Sequence, residues 1–207
     1  NQLKSNLGDI NKINLPKIIA VSKTFKIDKI LPLIDHGHLD FGENKVQETI
    51  DKWTAIKASK PDIQLHMIGK LQTNKVKFAV KLFDFIHSVD NEKLAKKIAD
   101  EQIKINKKIK IFIQVNIGNE DQKSGINKNE INELIAYCKQ INLDLIGLMC
   151  IPPANSDTQN YFKEMNLINK DFSFQDLSMG MSSDYLKASE NSATYLRIGS
   201  SIFGERS

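Results

Sequence analysis

Apolar runs and amphipathic stretches alternate along the chain. Eight apolar runs are typical of buried strands, and they cover residues 17–23, 39–44, 64–69, 83–89, 110–117, 143–151, 177–181 and 195–203. Between them, apolar residues recur at three- and four-residue spacing, as in Ile131, Leu134, Ile135 and Cys138, which predicts helices. Gly37 follows the first helical stretch and predicts a left-handed cap there. A short helix is also predicted over residues 184–190, just before the last strand.

Strict alternation of strands and helices favours parallel strands joined by right-handed crossovers. Eight such units predict a single (β/α)8 TIM barrel, and residues 1–207 are interpreted as one domain. Residues 1–7 are a candidate for an additional N-terminal helix. An open doubly wound sheet is the alternative, but that fold favours a glycine-rich turn after its first strand, and no such turn follows Lys23.

Composition narrows the class of protein. The net charge is +4, and the basic residues are lysines except for Arg197 and Arg206. Lysines spread along the chain are typical of solvated helix faces and argue against nucleic-acid binding. Cys138 and Cys150 lie in apolar patterns and are interpreted as buried hydrophobic residues, not as a disulfide or metal site. No transmembrane segment or signal peptide is visible, so no membrane partner and a cytoplasmic location are expected.

Lys23 ends the first apolar run. A partly desolvated lysine at the mouth of a strand has a more nucleophilic amine, as a Schiff-base lysine requires. The alternative is a surface lysine just beyond a strand end. In a barrel, the carboxyl ends of the strands form the functional face, and the residues that this places near the same rim include Lys23, Asn44, His66, His87, Asn116, Met149, Ser178 and Arg197.

The last two strand ends resemble a phosphate site. Barrels often bind phosphate with the loops after strands seven and eight, and Gly180 and Gly199 let backbone amides approach an anion. Ser182 is expected to cap the short helix that begins at Asp184, and Ser200 adds a hydroxyl. The alternative is that Ser182 only caps the helix and Gly199 only relieves packing.

Arg197 is unusual in a chain that otherwise uses lysine. A buried guanidinium stays charged and donates a fixed fork of hydrogen bonds. The Arg197 guanidinium either forms a structural ion pair inside the barrel or donates to an acceptor on a ligand, such as a ring nitrogen. Together, the Lys23 amine, the phosphate site and Arg197 predict pyridoxal 5′-phosphate (PLP) as cofactor, with no metal.

The chain also resembles the pyridoxal phosphate homeostasis proteins over essentially its whole length. The matching motifs are Ala20-Val21-Ser22-Lys23-Thr24, Phe41-Gly42-Glu43-Asn44, Val46-Gln47-Glu48, His66-Met67-Ile68-Gly69, Leu71-Gln72-Thr73-Asn74-Lys75, Lys123-Ser124-Gly125, Gly147-Leu148-Met149, Leu177-Ser178-Met179-Gly180-Met181-Ser182, Arg197-Ile198-Gly199 and Ile202-Phe203-Gly204. The resemblance implies a barrel similar to the barrel domain of bacterial alanine racemase. It implies Lys23 as the aldimine lysine, Ser182, Gly199 and Ser200 at the phosphate, and Arg197 near the pyridine nitrogen.

Other residues of the resembling motifs are assigned less specific roles. Asn44 is expected near the cofactor, and His66 and Met149 are expected as wall residues. The chain departs from the family pattern at Asn191, where a glycine is usual, and we expect Asn191 to adopt the left-handed conformation. Lys70, beside the third strand, either reaches the rim or points to solvent.

The resemblance implies PLP homeostasis with no catalytic residue. A PLP-dependent amino acid racemase is the alternative, but it needs a base on each face of its substrate, and alanine racemase takes the second base, a tyrosine, from another domain. We expect no such domain after the last strand. A cofactor-free barrel enzyme acting on phosphorylated sugars is a third hypothesis, and a nucleic-acid module is the fourth. The expected partners are PLP and apo forms of PLP-dependent enzymes, and the expected state is a monomer.

Overall fold

Eight parallel strands close into a barrel in the order of the sequence. The computed structural model describes residues 15–120, 122–154 and 156–205. The strands are β1 (Lys17–Val21), β2 (Asp40–Glu43), β3 (Gln64–Met67), β4 (Phe85–Val89), β5 (Lys110–Val115), β6 (Asp144–Cys150), β7 (Asp176–Met181) and β8 (Tyr195–Ile198). β8 pairs with β1 in parallel, which closes the ring. The predicted (β/α)8 barrel is therefore confirmed, and the candidate helix over residues 1–7 lies outside the described residues.

Helices follow the strands and cover the outside of the barrel. They are α1 (Ile27–Asp35), α2 (Val46–Ser59), α3 (Val76–Leu82), α4 (Glu92–Lys104), α5 (Ile131–Gln140), α6 (Thr158–Asp171), α7 (Tyr185–Glu190) and α8 (Ser200–Phe203), with 3-10 turns at Thr73–Lys75 and Lys128–Glu130. Local sequence explains their limits. The Asn91 side chain accepts a hydrogen bond from Leu94 N–H at the start of α4. Gly37, with φ +90°, follows the end of α1, as predicted.

The core has two layers because successive strand residues point to opposite sides of the barrel wall. Leu65, Leu148 and Leu196 face outward and pack in the large cluster under the helices. The inner layer has a small apolar cluster made of Ile19, Phe85, Phe112, Met149 and Tyr195. The same alternation turns His66, His87, Ser178 and Arg197 inward, so buried polar side chains lie inside the barrel.

Two local expectations need correction. β8 ends at Ile198 and not at residue 203, because the chain turns at Gly199 and forms the short helix α8. That turn brings the Phe203 ring to 5.1 Å from the Phe25 ring. Asn191 is not left-handed: its φ is −103°, its side chain donates to Lys187 O, and the left-handed residue is Ser192, with φ 67°.

Cys138 and Cys150 are buried and unbridged, and burial raises the pKa of both thiols to about 12. They are therefore inert hydrophobic residues, as predicted. Within the described ranges, no helix is long and apolar enough to cross a membrane, and no group of three or more His, Cys, Asp or Glu residues is arranged to hold a metal ion.

Candidate functional site

A cavity of about 560 Å³ opens at the carboxyl ends of the strands. We call it the Lys23 cavity. It brings together five of the predicted site residues, namely Lys23, Ser182, Arg197, Gly199 and Ser200. The remaining lining comes from Val21, Ile68, Ile151, Met181, Ser183, Gly204 and Glu205. An amine and a guanidinium thus share one open cavity with small hydroxyl residues.

Lys23 lies in the turn that follows β1 and is half-buried. The next residue, Thr24, has φ 68°, a strained conformation for a β-branched residue. Its N–H donates to Glu48 Oε1 at 2.7 Å, which holds the strained turn to α2. Burial raises the pKa of Glu48, but hydrogen bonds from Lys52 and from the Thr24 N–H outweigh it and lower the pKa overall.

The buried Glu43 carboxylate ties the same turn to the barrel wall. Its Oε1 accepts from Ser22 Oγ at 2.7 Å, from Trp53 Nε1 at 2.9 Å and from Lys52 Nζ at 3.0 Å. Lys52 Nζ also donates to Ser22 O at 3.0 Å. In the sequence, Glu43 and Glu48 stood out only as members of motifs, and their role in holding the turn after β1 was not predicted. The available signal was a second carboxylate, besides Asp40, within the run of residues 39–44.

Arg197 projects from the inner face of β8 and is only 4% exposed. Its Nη1 donates to Ser178 Oγ and its Nη2 to Cys150 O, both at 2.8 Å. Burial lowers the pKa of Arg197 from its usual value. In the described part of the chain its hydrogen-bond partners are a hydroxyl and a carbonyl, and no carboxylate forms an ion pair with it. The structural ion pair considered above therefore finds no support.

Ser182 acts differently from the expectation. The N-cap of α7 is Asp184, not Ser182, and Asp184 Oδ1 accepts from Met181 N–H at 2.6 Å. Because the chain makes a turn before α7, the Ser182 hydroxyl reaches across to the loop after β8 and accepts from Gly199 N–H at 3.1 Å. The helix-capping interpretation of Ser182 is therefore wrong. The two loops that were predicted to bind phosphate are joined by this hydrogen bond.

The structure explains the two glycines of these loops in different ways. Gly180 has φ +89°, and a Cβ there would lie 2.5 Å from Ala188 Cβ, so both backbone and packing require glycine. Gly199 has φ −118°, and a Cβ there would make an ordinary contact of 3.4 Å with Val21 Cβ. Packing therefore explains Gly180, which does not line the Lys23 cavity, but does not explain Gly199, which does.

The other predicted residues lie away from the Lys23 cavity. His66, Met149 and Ser178 are fully buried on the inner wall of the barrel, and Ser178 touches Arg197. Asn44 lines a neighbouring cavity of about 300 Å³ beside the exposed Lys70. Within the described residues, buried Asn44 Oδ1 has no hydrogen-bond partner.

Comparison with known proteins gives the family. Residues 1–207 match the family model described as "Alanine racemase, N-terminal domain". The pyridoxal phosphate homeostasis protein of Aquifex aeolicus (strain VF5) is 36% identical over 203 residues, which cover 93% of this chain and 88% of that protein. The chain belongs to the pyridoxal phosphate homeostasis protein family. The resemblance drawn from the motifs is thereby confirmed.

Other members and structures agree. The family member from Escherichia coli (strain K12) is 35% identical over 199 residues, covering 91% of this chain and 85% of that protein. The structure of PipY from Synechococcus elongatus PCC7942 with PLP bound superposes with a TM-score of 0.85 at 32% identity, covering 97% of this chain and 99% of that chain. Alanine racemase of Clostridium difficile 630 superposes with a TM-score of 0.73 at 16% identity, covering 99% of this chain and 56% of that one. The last likeness shows the fold alone.

Proposed function

We propose that this chain binds pyridoxal 5′-phosphate in the Lys23 cavity and acts in the homeostasis of that cofactor, without catalysing a reaction of its own. The observation that carries the proposal is the convergence of Lys23 and Arg197 on one open cavity. Two comparisons support it: PipY has been solved with PLP bound, and similar proteins from several bacteria are named pyridoxal phosphate homeostasis proteins.

The residues present fit the cofactor. PLP, when bound, supplies an aldehyde that reacts with primary amines, and Lys23 offers an amine at the rim. Its phosphate needs hydrogen-bond donors, which the Ser182 and Ser200 hydroxyls provide beside Gly199. Packing does not require a glycine at position 199, and the missing side chain leaves room for an anion there.

The proposed roles follow from these positions. Lys23 would bond to the aldehyde carbon, whose oxygen would leave as water, and Ser182, Gly199 and Ser200 would hold the phosphate. Arg197 donates to the pyridine nitrogen, and its charge disfavours a proton on that nitrogen. An unprotonated ring withdraws electrons less strongly, which suits a carrier better than an enzyme. The other predicted cofactor-binding residues stay predictions, because none of them lines the Lys23 cavity: they are Asn44, His66, Met149, Ser178 and Gly180.

A non-catalytic role is also supported by the tyrosines. Racemisation needs a proton acceptor on each face of the substrate. Tyr195 lies in the inner apolar cluster, and burial raises the pKa of its phenol, which disfavours a base there. Tyr137, Tyr161 and Tyr185 pack against the outer core. Rapid exchange of the Cα hydrogen of L-alanine in deuterated water, with loss of chirality, would favour the racemase instead.

The remaining elements of the proposal concern the cellular setting. We infer that residues 1–207 work as one PLP-binding domain, as a monomer in the cytoplasm, and that PLP passes from Lys23 to apo-enzymes. The open mouth of the Lys23 cavity supports such release, because a second amine can enter from solvent. On the helices, lysines pair with acidic residues, as Lys97 and Lys104 do with Glu101, which supports solvated faces and not a nucleic-acid surface.

The test is a PLP titration followed by absorbance. We expect wild-type protein to develop the band of covalently bound PLP, and Lys23→Ala to lose it while remaining folded. Lys70→Ala is the matched control, since Lys70 is an exposed lysine of the same rim that lines the neighbouring cavity. If Lys23→Ala kept the band, or if wild-type protein never developed it, the proposed function would be wrong.

A further inference from the structure

A continuous line of polar groups, buried except for the half-buried Asp40, crosses the barrel interior. Arg197 Nη1 lies 2.8 Å from Ser178 Oγ, which lies 3.0 Å from His87 Nδ1. His87 Nε2 lies 3.0 Å from His66 Nδ1, and His66 Nε2 lies 3.0 Å from Asp40 Oδ1. We call these five residues the inner chain. It joins the Lys23 cavity, at the carboxyl end of the strands, to the start of β2 at the opposite end.

With neutral imidazoles, the Asp40 end of the inner chain fixes the position of every proton in it. The Asp40 carboxylate only accepts, so His66 carries its proton on Nε2 and accepts at Nδ1. His87 then carries its proton on Nε2 and accepts at Nδ1 from the Ser178 O–H. Arg197 only donates, and Ser178 Oγ accepts from it through a lone pair. The order set by Asp40 is therefore compatible with the Arg197 end.

Apolar rings enclose the inner chain. The His66 ring stacks on Phe85, with centroids 4.2 Å apart, and the His87 ring stacks on Phe112 at 4.3 Å. Both imidazoles are fully buried. In such surroundings hydrogen bonds are electrostatically stronger, and an unpaired polar group is costly. The rings therefore hold the imidazoles in the planes that the hydrogen bonds require.

Electrostatics favours the same neutral forms. Burial lowers the pKa of His87 well below its usual value, and the nearby His66 and Arg197 lower it further. Burial also lowers the pKa of His66 overall, although Asp40 opposes this. In this order, protonating His66 at Nδ1 would set two donors against each other at its contact with His87, and protonating His87 at Nδ1 would set a second donor against the Ser178 O–H. Neutral imidazoles and the order derived from Asp40 thus agree.

We propose that Ser178, His87, His66 and Asp40 are positioning residues that hold the Arg197 guanidinium in one orientation toward the Lys23 cavity. Ser178 presents a lone pair to Arg197 because its O–H is committed to His87, and that commitment is passed on to Asp40 through His66. The guanidinium has five N–H donors. Holding it through Nη1 and Nη2 fixes where the other donors point. The identity of the ligand that they meet rests on the proposed function.

The first test uses nitrogen NMR of the protein without PLP, labelled with 15N in histidine and arginine. At pH 7 we expect His66 and His87 both as the neutral form with the proton on Nε2. We also expect separate signals for the Nη hydrogens of Arg197, because two hydrogen bonds stop the group from rotating. Ser178→Ala should merge those Arg197 signals. A proton on Nδ1 of either imidazole, or unchanged Arg197 signals in Ser178→Ala, would overturn the proposal.

The second test measures PLP affinity. Ser178→Ala should weaken binding by about tenfold, since Arg197 loses the partner that orients it. Ser88→Ala is the matched control: Ser88 is also a buried serine of the barrel wall, and within the described residues its Oγ has no hydrogen-bond partner. Equal affinity of Ser178→Ala and wild type would also overturn the proposal. If wild-type protein bound no PLP, the proposed function would fail, while the NMR result would still decide the inner chain.

Discussion

The rim of the Lys23 cavity and the interior beneath it satisfy their polar groups in different ways. At the rim, Lys23 and Ser182 are half-buried and Ser200 is exposed, so solvent or a ligand can reach them. In the interior, His66, His87 and Ser178 are fully buried and bonded to one another or to Arg197 and Asp40. Polar groups meant for a ligand stay reachable, whereas polar groups meant for support are closed off and paired.

Arg197 belongs to both regions, because it lines the cavity and ends the inner chain. Substitutions at the rim should therefore affect PLP binding and leave stability nearly unchanged. Substitutions in the interior should affect stability as well. A rim residue that proved essential for folding would contradict this distinction between the rim and the interior.

The largest effect is expected for Arg197→Ala. It removes a buried side chain and leaves Ser178 Oγ and Cys150 O without their donor. We expect the free energy of unfolding to fall by about 3 kcal/mol, with weaker PLP binding and an altered spectrum. Urea denaturation and a PLP titration measure the two effects. Unchanged stability, affinity and spectrum would contradict both roles of Arg197, the one in the Lys23 cavity and the one in the inner chain.

Substitution of Gly180 and of Gly199 should separate an effect on stability from an effect on PLP binding. Gly180→Ala should destabilise the fold by about 2 kcal/mol, because φ is +89° and the new Cβ would lie 2.5 Å from Ala188 Cβ. Gly199→Ala should change stability by less than about 0.5 kcal/mol but weaken PLP binding. Thermal denaturation and affinity of both variants test this. If Gly180→Ala and Gly199→Ala lost stability equally, packing would also require a glycine at position 199.

The buried His87 should make the free energy of unfolding depend on pH. The pKa of buried His87 lies well below 6.5, whereas an unfolded imidazole takes up a proton near 6.5. Below that pH the unfolded state binds more protons, so stability falls as pH falls, by about 1.4 kcal/mol per pH unit for this group. Urea denaturation between pH 7 and 5 measures the slope, and His87→Asn should reduce it. A flat profile in wild-type protein would show that His87 is not held neutral.

The smallest effect on stability is expected for Ser200→Ala at the exposed rim. We expect a change below about 0.5 kcal/mol and a loss of PLP affinity of about fivefold. Ser201→Ala is the matched control, because Ser201 is an exposed neighbour outside the cavity lining. Equal affinities of the two variants would argue against a phosphate contact from Ser200.

Much of the fold follows from the sequence because strand and helix periodicities differ sharply. Counting eight apolar runs predicted the barrel, and the rule that strand ends meet at one rim predicted that Lys23 and Arg197 would share a cavity. The strand limits were less predictable. Residues 199–203 read as a continuation of an apolar strand, but the turn at Gly199 and the contact of Phe203 with Phe25 make a helix instead.

The supporting contacts could not be predicted because they join residues far apart in the chain. Ser178 and His87 are 91 positions apart, and only closure of the barrel brings them to 3.0 Å. Ser182 looked like a helix cap because capping is a local pattern, whereas its hydrogen bond to Gly199 spans two loops. The direction of each inward residue follows from strand alternation, but its partner depends on the barrel register.

Reductive trapping tests the central claim most directly. The chain has 27 lysines, since Arg197 and Arg206 are the only arginines among its 29 basic residues. After loading with PLP, borohydride reduction and digestion, peptide mass mapping should find the pyridoxyl group on Lys23 alone. A mark on a different lysine, or no mark, would contradict the account.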